Sequence, residues 1–287
     1  MMKFTGVAVG TLMCAAGLSV SGAAFAADLA VPEAAIIETA PSPIDVAFGV
    51  KFTSEYVFRG IQQADKGPAV QGYAEVQAFD WIYAGVWASS VKFPQGYGFS
   101  DPAAEIDVYG GLRHTWDAIT LDVGGLYYWY PGEANLAFVG GVPVKPAHID
   151  YWEIYAKPSY AFGDLGSIGA TVFWTADFVN SGADATYASV VGKLNVPYEI
   201  YPDVGLYVSG EFGKQWAGKT DAGFNLPNYL TWNAGFGITY KAITVDFRYS
   251  DSDLSARECG GFSGVRTWCG DRYMVGVSFD TALSKLK

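Results

Sequence analysis

From Asp45 onward the polarity of the chain repeats every two residues. Val46, Phe48, Val50, Phe52, Tyr56 and Phe58 alternate with Ala47, Gly49, Lys51, Thr53, Glu55 and Arg59. One face of this segment is apolar and aromatic, and the other is charged or small. A helix would bring its apolar positions round every three or four residues, so a period of two over this length predicts a strand. The pattern returns over 105–116, 119–129, 152–160, 168–178, 204–212, 230–240, 243–249 and 272–280. It is less clean over 69–79, 81–91 and 184–197. About twelve strands are expected.

The connections alternate in length. Asp80, Asp117, Gly163 to Gly166, Pro197 to Pro202 and Lys241-Ala242 mark short turns, and 60–68, 92–102, 131–149, 179–185, 213–228 and 251–270 are longer polar stretches. An antiparallel up-and-down meander with its long loops at one end has this rhythm. An even number of strands places both termini at the short-turn end.

Strand length separates a membrane barrel from a soluble sandwich, the competing fold. These segments run about 10–13 residues, against about 5–6 in globular sheets and about 9–11 in a tilted membrane strand. A sheet in lipid must close, because an open edge leaves backbone groups unpaired. The expected fold is an all-β, closed up-and-down antiparallel transmembrane β-barrel over 45–280, with a tail at 281–287. Its apolar face ends in aromatics at Phe58, Trp116, Trp129, Phe162, Phe178, Tyr240, Tyr249 and Phe279. Rings with apolar bodies and polar tips suit the boundary between hydrocarbon and headgroups, so these are the expected girdle.

The N-terminus adds a compartment. Lys3, an apolar run from Val7 to Val20 and the small-residue site Ala24-Phe25-Ala26 predict a secretory signal over 1–26. Residues 27–44, with Pro32, Pro41 and Pro43, read as an Ala/Pro-rich periplasmic tether. The expected location is the Gram-negative outer membrane with both termini periplasmic. Cys259 and Cys269, an even pair in an exported chain, are expected to form a loop disulfide.

Composition narrows the function classes. Only 16% of residues are charged against an average near 25%, while 51% are hydrophobic and 16% aromatic. Disorder is excluded by that apolar content. A net charge of −11 argues against nucleic acid as a partner. The expected partners are outer-membrane lipid and lipopolysaccharide, the barrel-assembly machinery and small solutes. No cofactor is expected, and no zinc-ligand spacing is present.

The polar face assigns the lumen-lining charges. The acidic positions are Glu55, Glu75, Glu105, Asp107, Asp122, Glu153, Asp177, Glu211 and Asp246; the basic ones are Lys51, Arg59, Arg113, Lys157, Lys193, Arg248 and Arg272. Two outcomes stand open. The charges line a polar channel with a mild cation preference, or they pair across the lumen and partly close it, as side chains do in small barrels. Arg59 is either a constriction charge near Glu55 or a clasp for the strand end, and Gly60 supplies a turn. Glu105 and Asp107 share a face with Arg113 and are expected to pair with it. An outer-membrane lipid-modifying enzyme would need a Ser with a nearby His. His114 falls on the apolar register and His148 in a loop, away from Ser89, Ser90 and Ser159, so an enzyme is not expected. A plugged structural or receptor barrel remains the other alternative to a channel for passive diffusion.

Several stretches resemble a known family. Ser54-Glu55-Tyr56-Val57-Phe58-Arg59-Gly60, followed by Pro68-Ala69-Val70-Gln71-Gly72, resembles the opening signature of the TorF family of proteobacterial porin-like proteins. The stretches 83–89, 105–111, 128–132 and 150–155 are compatible with it. The resemblance runs from about Asp45 to about Phe279, and implies an outer-membrane barrel acting as a pore. One departure is visible: many such barrels end on Phe, whereas here Phe279 is followed by eight residues.

Overall fold

A computed structural model describes residues 43–93, 101–132, 137–139, 142–144, 148–198 and 201–286. The expected signal segment and all but the end of the expected tether lie outside them.

Twelve long strands form the wall: β1 (Ile44–Thr53), β4 (Ala69–Ala78), β5 (Ile82–Ser89), β6 (Glu105–Trp116), β7 (Ile119–Trp129), β10 (Tyr151–Ala161), β11 (Gly166–Thr175), β12 (Ala185–Asn195), β13 (Val204–Ala217), β14 (Tyr229–Tyr240), β15 (Ile243–Ser252) and β16 (Arg272–Ala282). Two small hairpins stand apart from the wall, β2 (Val57–Phe58) with β3 (Ile61–Gln62), and β8 (Ala137–Val139) with β9 (Val142–Val144). Each wall strand pairs antiparallel with its neighbour in the chain, and β1 pairs with both β4 and β16, which closes the barrel. The short turns and both ends of the described chain lie at one rim. β1 starts at Ile44, inside the segment read as a tether, and β16 continues to Ala282. Beyond it, the Ser284 hydroxyl donates to Asp45 at 2.6 Å and ties the tail to the first strand.

The alternation of the sequence becomes an inside and an outside. Val108, Leu112, Ile154, Val190, Phe212 and Phe236 are exposed on the outer surface. Glu75, Asp107, Glu153 and Asp246 are buried within. Inward tyrosines lie over glycines on the adjacent strand. In the β5–β6 register Tyr83 faces Gly111 and Tyr109 faces Gly85. A Cβ at Gly111 would stand 2.7 Å from the Tyr83 oxygen, and one at Gly85 would stand 2.6 Å from that of Tyr109. These glycines make room for rings that lie flat along the wall, which gives the joint abundance of Gly and Tyr a packing reason.

A loop with its own helix, α1 (Ala256–Ser263), stands at the long-loop end. The disulfide Cys259–Cys269 closes it. The bonded cysteines pack with Ile61, Tyr229, Leu254 and Trp268 in a second apolar cluster, against which Phe262 leans.

Two girdle assignments are corrected. Trp116, Trp129, Phe162, Tyr240 and Phe279 are exposed on the outer face, and Tyr249 lies beside the exposed Tyr273. Phe58 instead packs inside against Tyr128, with ring centres 5.9 Å apart. The chain leaves the wall after Thr53, so the parity of the first strand no longer applies at position 58. Phe178 lies beyond the end of β11 and is buried edge-on against Tyr151.

The barrel interior as candidate functional site

The segment 54–68, which connects β1 to β4, folds into the barrel rather than away from it. Its contacts circle the wall. Tyr56 donates its hydroxyl to Glu105 on β6 at 2.8 Å, and its ring leans on Trp87 of β5. Phe58 meets Tyr128 of β7. Arg59 donates to both oxygens of Glu153 on β10, at 2.9 and 2.7 Å. The same guanidinium reaches Gln215 of β13 at 3.3 Å and lies 5.0 and 4.6 Å from the ring centres of Phe173 on β11 and Tyr187 on β12. At the hairpin tip, a Cβ on Gly60 would be 2.7 Å from the Thr231 hydroxyl of β14 and 3.0 Å from Ser252 Cβ of β15. The Gln62 N–H donates to the Trp268 carbonyl of the disulfide loop at 3.0 Å. A hairpin rooted beside β1 therefore touches most of the wall.

Below it the inward charges form compact groups. Arg113 donates to Glu75 and Asp122, both at 3.0 Å, and its guanidinium lies 4.1 Å from the Tyr83 ring centre. Tyr83 also donates to Asp122. Arg113 thus joins β4 and β7 and does not reach the Glu105–Asp107 pair that shares its strand face. Asp122 on the adjacent β7 and Glu75 on β4, two strands away across β5, are its partners. On another sector Arg248 donates to Asp246 and Ser209 at 2.9 Å and to Asn233 at 2.6 Å. Tyr207 donates to Asp246 at 2.7 Å. Glu211 accepts from Tyr187 and Asn233.

The other assigned charges are placed as follows. Lys51 borders a void shared with Glu55, Asp246 and Arg248. Lys157 lies 4.5 Å from the Tyr155 ring centre, and Lys193 lies 4.7 Å from that of Tyr207. Arg272 approaches Glu55 at 3.7 Å, too long for a hydrogen bond. Asp177 is a correction: it lies two residues beyond the end of β11 and accepts from the Gly182 N–H at 2.7 Å, so it fastens a loop rather than lining the lumen. The Cys259–Cys269 pair is bonded. His114 stacks on Trp81 outside the wall, with ring centres 3.9 Å apart. The His148 carbonyl accepts from Asn180.

Around the Arg59 clasp the balance is acidic. Glu105, Asp107 and Glu153 are at most 2% exposed, and Asp107 lies within electrostatic reach of the other two. Among the described residues Asp107 Oδ1 has no hydrogen-bond partner. Among the described residues, two voids that border the hairpin are each about 10 Å³, roughly one water. Sequence reasoning passed over Gln215 and the inward tyrosines as site residues. The tyrosines carried a signal, since Tyr83, Tyr109, Tyr155 and Tyr207 share the register of the charged face.

Residues 37–279 match the model of a family described as a bacterial protein of unknown function, Gcw_chp. The description does not carry the TorF name that the opening motif resembles. No curated protein matches the sequence. Three solved structures show how distant its structural likenesses are. The COG4313 outer membrane channel from Pseudomonas putida F1 is 12% identical, with a TM-score of 0.44 over 86% of this chain and 100% of that one. The NanC porin is 14% identical, with a TM-score of 0.43 over 82% and 98%. LpxR from Salmonella typhimurium is 7% identical, with a TM-score of 0.41 over 82% and 99%. These likenesses are too remote to say what the chain does.

Proposed function

The chain belongs to the Gcw_chp family of bacterial proteins, and from its interior we propose that it is an outer-membrane porin-like channel for passive diffusion of ions and small polar solutes, with a mild cation preference and both termini periplasmic. In this reading it is a channel and not an enzyme, and the TorF resemblance of 54–72 belongs with it. One observation carries the reading: a closed barrel with an apolar exterior is filled with paired charges. Buried ion pairs add little stability over apolar packing of the same volume, so a barrel that only needed filling gains nothing from them. A polar path does. The sign of the preference follows from compensation. Arg59, Arg113 and Arg248 all sit in ion pairs, whereas Glu105 is held by a tyrosine and Asp107 keeps one oxygen without a donor.

The test is conductance of the refolded protein in planar bilayers, with reversal potentials under a potassium chloride gradient. Small unit currents with the reversal potential displaced toward that of potassium are expected. Anion selectivity overturns the preference, and the absence of any conductance, both from the wild type and from a folded chain lacking the 57–62 hairpin, overturns the channel. The hairpin across the lumen favours a second reading, a plugged structural or receptor barrel, which that last result would leave standing.

A further inference from the structure

We propose that the segment 54–68 is a displaceable plug, and that Arg59 is the residue that sets both the size and the charge preference of the pore. The inference rests on the channel reading and adds to it a constriction and a specificity-determining side chain.

Three observations meet at Arg59. The first is reach. The hairpin is rooted at the β1 end, yet Arg59 is clasped by Glu153 on β10, and Gly60 lies against β14 and β15. A solute entering from the long-loop end meets this strap before it meets the charge groups below.

The second is conformation. Arg59 has φ of +45°, in the left-handed region that non-glycine residues avoid. Such a conformation persists where its surroundings over-determine it. Here they are the bidentate carboxylate, the Gln215 oxygen and the rings of Phe58, Phe173 and Tyr187. β2 and β3 pair only with each other and add no strand to the barrel; beside the Arg59 clasp, backbone bonds run from the Gln62 N–H to the Trp268 carbonyl and from the Lys92 N–H to the Gln63 carbonyl. Loss of the clasp therefore removes the buried ion pair that ties the hairpin to β10 and leaves the wall pairing intact.

The third is charge. Arg59 is the guanidinium clasped by Glu153, and Asp107 lies within electrostatic reach of both Glu153 and Glu105. The strap and its countercharge are one object. When the hairpin moves out, the lumen widens and Glu153 loses its cation in a sector that also holds Glu105 and Asp107. A ring of uncompensated carboxylates favours cations in a narrow pore. Opening and cation preference are thus coupled through a single side chain.

The experiment compares single-channel conductance and reversal potential for wild type, Arg59→Ala, the double variant Arg59→Ala with Glu153→Ala, and a chain in which 57–62 is replaced by two glycines. Folding of each is checked by heat-modifiable electrophoretic mobility. Relative to wild type, Arg59→Ala and the shortened chain are expected to raise unit conductance about threefold or more, with the cation-to-anion permeability ratio rising about twofold. The double variant is expected to keep the larger conductance while its permeability ratio falls back toward wild type, because the carboxylate uncovered by the loss of Arg59 is gone. If Arg59→Ala does not fold, the shortened chain decides the matter, since it removes the same side chain with its strap. A folded shortened chain with wild-type conductance and selectivity overturns the plug and leaves the channel reading intact. Folded variants that conduct nothing, beside a silent wild type, overturn the channel reading and the plug with it.

Discussion

Arg113 lies between Glu75 and Asp122, each 3.0 Å away, and Glu75 is fully buried. Arg113→Met would leave two carboxylates inside the barrel without their cation. Removing one partner of a buried ion pair costs about 3–5 kcal/mol, mainly because the remaining charge stays desolvated. The triple change Arg113→Met, Glu75→Gln and Asp122→Asn should recover much of that loss, since no charge is then left unpaired. Urea unfolding of the refolded barrel in lipid vesicles checks both expectations. Equal instability of the single and triple variants would show that the charges themselves stabilise the barrel. These residues were legible in the sequence as inward-facing charges, because alternation fixes the face. Their partners were not. The pairing of Arg113 with β7, its neighbour strand, and with β4, two strands away, depends on the order of strands around the wall, and a face assignment carries no such information. The Glu105–Asp107–Arg113 grouping failed for this reason.

Among the elements, the wall strands were readable and the pieces that leave the wall were not. In each of β6, β7, β13 and β14 the buried residues all fall on one parity, and the sequences show it. The first strand misled by continuity. Its alternation runs past Thr53 through Tyr56 and Phe58, but the chain turns inward at Ser54, and both rings point into the barrel. The helix α1 was also missed, because the stretch 251–270 carries no apolar period. Its start is fixed locally instead. The Ser255 hydroxyl accepts from the Glu258 N–H at 3.3 Å, and the Glu258 carboxylate accepts from the Ser255 N–H at 2.9 Å and from its hydroxyl at 2.6 Å. These donors hold the Glu258 carboxyl below the usual glutamate range. The sign follows from linkage. A carboxylate with a depressed pKa contributes fully above its unfolded value of about 4.3, and the contribution is lost as pH falls through the folded value. The protection factors of the α1 amides, exchange rates corrected for the intrinsic pH dependence, should therefore fall at acid pH while those of the wall strands are kept. Ser255→Ala should accelerate exchange about fivefold even at neutral pH, the usual effect of losing an N-cap. Equal protection of α1 in the variant and wild type would show that the disulfide and the packing of Phe262, rather than the cap, hold the helix.

At the scale of the whole molecule, the same alternation is compatible with two solvents. An outward row of apolar residues faces hydrocarbon in a membrane barrel and water in a soluble one, and neither strand pairing nor closure distinguishes them. Length and aromatic placement argue for lipid, and depth provides the decisive contrast. Phe236 lies midway along β14, exposed on the outer face and stacked on Phe247 at 5.0 Å. Tyr240 ends the same strand at the short-turn rim and is exposed to a similar degree. In lipid, Phe236→Arg should cost about 2–4 kcal/mol and Tyr240→Arg at most about 1 kcal/mol, because the penalty for a cation falls steeply from the bilayer midplane to its interface. In water, an outward arginine is solvated at either position and the two costs converge. Urea unfolding of both variants in lipid vesicles measures the difference. A gap of about 2 kcal/mol or more between them places the outer face of β14 in hydrocarbon. Equal costs would remove the membrane from the account of this barrel, and with it the reason for closing twelve strands around a charged interior.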